Sequence, residues 1–95
     1  MVVGDVKKCI ATVTTGAYLD IQPSAGEEWT IHNIFHAAEV ELYVSNSTLT
    51  ILFDSETQYG AWLRHAFDLT NDFYLRVKNV NASSQVIAYC GKQTK

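Results

Sequence analysis

The residues in this chain that could do chemistry are three histidines, several paired carboxylates and two cysteines. His32, His36 and His65, with Glu39 or Glu41 as a further ligand, form the nearest thing to a metal set. Metal sites need their ligands to converge on one ion. On a strand rising about 3.3 Å per residue, His32 and His36 share a face but stand about 13 Å apart, and no His-x-His or His-x-Asp pair is present. Polar surface histidines are the plainer expectation, with no metal and no cofactor. Glu39 and Glu41 lie about 7 Å apart on one strand face, a separation compatible with an acid and base acting on a glycoside. Glu27 and Glu28 form a second acidic pair. A solvated outer face produces the same Glu-Val-Glu pattern, so these pairs do not point to an enzyme.

Cys9 and Cys90 sit in apolar strand contexts and in no Cys-x-x-Cys arrangement. They read as free thiols that fill space in the core. No nucleophile elbow appears. Tyr18, Tyr43, Tyr59, Trp62, Tyr74 and Tyr89 could stack on sugar rings, but tyrosine is equally a residue of protein interfaces, being large and tipped with a hydroxyl. Asn46-Ser47-Thr48 and Asn81-Ala82-Ser83 match the glycosylation pattern and are read as turn chemistry.

Size and charge narrow the function classes. At 95 residues the chain supports one domain with one core and leaves little room for an enclosed active site. Hydrophobic residues make up 47% and charged residues 18%, so it has the apolar content to fold. The net charge is -3 and the seven basic residues are scattered, which argues against nucleic acid as a partner. No apolar run approaches the roughly 20 residues that cross a bilayer, and Met1 to Ile10 has no signal-peptide character. The expectation is no membrane partner and synthesis in a cytoplasm without export.

Short runs of alternating apolar and polar residues recur between turn signals, so the chain reads as all-β. Strands are expected over Lys7 to Thr14, Ala17 to Gln22, Trp29 to His36, the alternating Val40 to Val44, Thr48 to Asp54, Ala61 to Asp68, Asn71 to Lys78 and Gln85 to Cys90. Trp29, Ile31 and Phe35 should share the core face of the third, where Asn33 is either hydrogen-bonded inside or marks a bulge. Leu49, Ile51 and Phe53 should share one side of the fifth, and Phe73, Leu75 and Val77 should point inward. Ser55 to Gly60 is an exposed loop. Residues 1–5 and 92–95 are expected to be short flexible termini. About eight short strands divide naturally into two sheets, so the predicted architecture is a single-domain antiparallel β-sandwich of jelly-roll type, over residues 1–95. In a jelly roll the first and last strands are close, which would bring Cys9 near Cys90.

The run Ile21 to Phe35 organises this plan: a strand ends at Gln22, Pro23 to Gly26 reverse the chain, and a core strand begins at Trp29. Pro23, Gly26, Trp29, Ile31, His32, Asn33 and Ile34, followed later by Leu75, Arg76, Val77 and Asn79, resemble small virion structural proteins of tailed bacteriophages. That resemblance implies a capsid cement or decoration protein, a jelly roll sitting as a trimer on the capsid exterior, made in the host cytoplasm. It implies two partners, the major capsid protein and further copies of the chain. The partner-facing residues expected on this reading are Pro23, Ser24 and Glu27 in the turn, Tyr59 in the mid-chain loop, and the outward Tyr43 and Tyr74. A receptor- or carbohydrate-binding sandwich of a tail tip or fibre is the alternative.

Overall fold

A computed structural model describes residues 3–63 and 66–95. Among the described residues nine strands run in chain order: β1 (Val6–Val13), β2 (Tyr18–Ile21), β3 (Glu28–His36), β4 (Val40–Ser45), β5 (Thr50–Glu56), β6 (Gly60–Trp62), β7 (Phe67–Thr70), β8 (Tyr74–Asn79) and β9 (Gln85–Gln93). They form two antiparallel sheets. One has the order β1-β9-β3, with both β6 and β7 on the far side of β3; the other has the order β2-β8-β4-β5.

The pairing is nested. The first strand lies against the last (β1 with β9), the second against the next to last (β2 with β8), β3 against β6 and β7, and β4 against β5. When β6 and β7 are counted as one interrupted strand, this is a long hairpin rolled into two four-stranded sheets, the jelly-roll arrangement. The single strand expected over Ala61 to Asp68 is therefore two short ones. The predicted β-sandwich is the fold.

The core is one cluster between the sheets. Val13, Ile21, Ile31, Ile34, Val40, Leu42, Trp62, Leu69, Leu75, Val77 and Ile87 are buried in it. Alternation explains β4 and β8 directly, because Val40, Leu42, Leu75 and Val77 occupy every second position on their strands. Trp29 is half-buried against this cluster, and its indole N–H donates to Glu27 Oε1 at 3.0 Å.

Several expectations are corrected. In β3 the register against β9 shifts between Ile31 and Asn33, leaving His32 as the extra residue. The shift is the bulge that Asn33 signalled, and it moves the inward phase from Phe35 to Ile34 and His36. Phe35 is exposed, not core. His32 and His36 now lie on opposite faces, His32 exposed and His36 buried. Phe73 precedes β8 and is also exposed.

Cys90 faces away from the core. The register sets Cys9 opposite Tyr89 and Lys8 opposite Cys90, so the two thiols occupy adjacent strands on opposite sheet faces. The inward face of β9 instead carries Gln85, Ile87, Gly91 and Gln93. Gln85 is tolerated there because its Nε2 donates to the Glu39 carbonyl at 2.7 Å and to Asn79 Oδ1 at 2.8 Å, while its Oε1 accepts from Ala38 N. The C-terminal residues are not a loose tail: Lys92 and Gln93 continue β9, and the Thr94 amide donates to the Glu28 carbonyl at 2.7 Å. At the other end of the chain, the Gly4 amide donates to the Gln93 carbonyl and the Gln93 amide to that of Asp5.

Candidate assembly surface

The expected partner-facing residues do not converge. Pro23 is fully buried. The turn that holds it is clamped to the β7–β8 connection, with Gln22 Nε2 donating to the Asn71 carbonyl at 2.9 Å and Asn71 Nδ2 donating to the Pro23 carbonyl at 3.0 Å. Gln22 and the tip, Ser24 to Gly26, are exposed, and Gly26 supplies the left-handed conformation of the tip at φ 83°. Glu27 is half-buried, holding the Trp29 indole and lying 3.8 Å from Lys7 Nζ.

Tyr43 and Tyr74 do share a surface, the outer face of the four-stranded sheet. Tyr43 is opposite Arg76 and Tyr74 is opposite Ser45 in the β4–β8 register. Tyr59 stands elsewhere. It follows β5, whose end residue Glu56 pairs with Val40 beside Asn79, at the opposite end of β8 from Tyr74. Tyr59 is 80% exposed.

The outer face of that sheet is tied into a network. Arg76 Nε donates to Asp20 Oδ1 at 2.7 Å, and its guanidinium lies 4.0 Å from the centre of the Tyr18 ring. The hydrogen bond to Asp20 raises the Arg76 pKa. Tyr18 meets Tyr43 edge to face at 5.8 Å. The Tyr43 hydroxyl donates to Glu41 Oε1 at 2.6 Å. This bond, assisted by burial and by the Glu41 charge, pushes the Tyr43 pKa up to about 12. One face of Tyr18 is thus covered by Arg76, a use that competes with stacking on a sugar. Trp62 and Tyr89 lie inside the sandwich and do not join this face.

The strand expected over Thr48 to Asp54 is β5, but sequence reasoning missed the exposure of its apolar side chains. Leu49, Ile51 and Phe73 are 69, 62 and 53% exposed, and Leu52 and Phe53 are exposed as well. Together these side chains present an apolar surface on the order of 500 Å², at the upper end for a monomer. The register shifts a second time within this strand. Leu42 pairs with Asp54 but Tyr43 with Leu52, which leaves Phe53 as the extra residue. Asp54 is thereby turned inward, where its Oδ2 accepts the Trp62 indole N–H. Glu56 accepts from His36 Nε2 at 2.5 Å. The carboxylates of β5 are engaged with the opposite sheet while its apolar side chains stay outside.

Phe53 and Phe67 approach at 6.2 Å between ring centres, from edge strands of different sheets. Beside them an open hollow of about 280 Å³ is lined by Val44, Leu69, Phe73 and Leu75. The sandwich is splayed at this mouth. A second apolar surface crosses the outer face of the five-stranded sheet, where the registers align Ile10, Ala88, Phe35 and Ala61 in one row. The signal for β5 was present in Ile51-Leu52-Phe53, three consecutive apolar residues that leave neither strand face polar.

No family model matches this sequence, and no curated protein matches it as a relative. Among the described residues, no group of three or more His, Cys, Asp or Glu is arranged to hold a metal ion. His65 lies outside the described residues. No helix is long and apolar enough to cross a membrane among the described residues.

Proposed function

We propose that this protein is a structural assembly module of the capsid-decoration kind, joining a virion shell through exposed apolar surface rather than through a reaction. The observation that carries the reading is β5, an edge strand that with the preceding Leu49 exposes apolar side chains through Phe53 while Asp54 and Glu56 bond to the opposite sheet. Apolar surface of this extent, rimmed by polar residues, marks an interaction site. Jelly rolls occur in viral capsid proteins, which supports the proposal by analogy of fold alone.

Two apolar surfaces on different sides of the molecule suit two kinds of contact. The mouth at β5 would meet the major capsid protein. The row Ile10, Ala88, Phe35 and Ala61 would meet further copies, as a trimer on the capsid exterior. Repetition over a shell lets many weak contacts act together. Co-purification with intact capsids at a fixed copy number relative to the shell protein is the expected result. Binding to a defined glycan, lost on Tyr59→Ala, would replace this proposal with recognition of a receptor.

A further inference from the structure

Among the described residues five strands form the edges of the two sheets, and they are not alike. β2 and β7 have four residues each and β6 three, too short to template much pairing. β1 is long but sets Lys8 between its exposed Val6 and Ile10. β5 has seven residues, no lysine and no proline, and among the described residues pairs only with β4. Apart from the bulge at Phe53, its outer backbone edge carries no lysine or proline to discourage a further strand.

The charge around it selects among occupants. Asp68 lines the adjoining hollow and Asp72 precedes Phe73, while Asp54 of β5 is held by the Trp62 indole and does not join this rim. Among the described residues, no lysine or arginine lines that hollow or the neighbouring one beside Leu49 and Ile51. The whole chain is acidic, with a net charge of -3. A second copy docked edge to edge would set acid against acid. A basic and apolar segment would satisfy both the acidic rim and the exposed backbone.

We infer that β5 accepts an extended segment of a partner protein as an added strand, with apolar side chains against Ile51, Phe53 and Phe73 and lysine or arginine at its ends. This deepens the assembly reading and rests on it. Backbone hydrogen bonds from β5 would supply affinity, and the hollow and the acidic rim would supply selectivity.

The test uses the full chain and a blocked peptide of alternating valine and threonine between terminal lysines, followed by NMR amide shifts. Shifts are expected over Thr50–Glu56 and around Phe73. A glutamate-ended peptide should bind at least tenfold more weakly, and Ile51→Lys, at a solvent-exposed position, should abolish binding without loss of fold. Equal affinity for the two peptides, shifts elsewhere, or β5 amides protected by self-association in peptide-free protein would each overturn the inference. If capsid binding still depends on Ile51 while the two peptides bind equally, only the basic strand fails. If the peptides behave as expected and Ile51→Lys protein still joins capsids, the assembly reading fails and the strand site remains.

Discussion

Glu56 Oε1 lies 2.5 Å from Nε2 of His36, joining the edge strand of one sheet to the centre of the other. The other ring nitrogen, Nδ1, is 2.9 Å from the carbonyl of Ala38. A carbonyl oxygen can only accept, so the ring donates in the contact with Ala38. With the indole of Trp62 held by Asp54, the Glu56 contact positions β5 and leaves its apolar side chains outward.

Glu56→Ala should therefore loosen β5 specifically. The expected loss of stability is about 1 to 2 kcal/mol, that of a charged hydrogen bond discounted because the Glu56 side chain is more than a third exposed. Hydrogen exchange should quicken over Thr50–Glu56 and leave β8 and β9 unchanged. Uniform acceleration would mean that the contact holds the whole sandwich.

Gly91 is the position where β9 and β3 come closest. A Cβ there would stand 2.2 Å from the Thr30 carbonyl oxygen and 2.7 Å from the Ile31 Cα, both backbone atoms at the start of the β3 bulge. Gly91→Ala should cost about 3 kcal/mol or more, read from chemical denaturation, because neither obstacle is a side chain that can turn away. Gly16→Ala has open space around its Cβ and meets only the strain of φ 79°, so its cost should be smaller. Equal costs would contradict the close approach.

Tyr43 gives a pH test. Its hydroxyl donates to Glu41, and burial adds to the effect, so its pKa is raised to about 12 from 10. A raised pKa means that the folded state holds the proton more tightly. The associated stability is complete below pH 10 and is lost as the pH climbs from 10 toward 12. Ring-carbon NMR should show Tyr43 titrating at about 12, and Glu41→Gln should lower its midpoint. An unchanged midpoint in that variant would remove Glu41 as the cause.

The row on the five-stranded sheet predicts self-association. Phe35→Glu, at an exposed position, should shift sedimentation from trimer to monomer while thermal stability stays nearly unchanged. A wild-type protein that sediments as a monomer would contradict the role given to this face.

Much of the fold was legible because Val40-Glu-Leu-Tyr-Val44 and Tyr74-Leu-Arg-Val77 alternate without a break. Where phase was lost, one residue did it. His32 and Phe53 are each an extra residue in a paired strand, and each reverses the faces of the residues after it, which hid the burial of His36 and the inward turn of Asp54. Asn33 hinted at the first shift, while nothing local marked the second. The inward face of β9 was hidden for another reason. Gln85 is buried and satisfied by Asn79 and by the Ala38 amide and Glu39 carbonyl, the last two distant in sequence and reported by no hydropathy pattern. Pro23 has the sequence character of an exposed turn residue, but Asn71, 48 positions away, clamps it into the interior.

The central claim is that β5 joins this protein to a shell, and the most direct measurement is the fraction that cosediments with intact capsids for wild type and Ile51→Lys. Wild-type protein should pellet with the capsids at a constant ratio to the shell protein, and folded Ile51→Lys protein should stay in the supernatant. Wild-type protein left in the supernatant, or both proteins pelleting alike, would contradict the account.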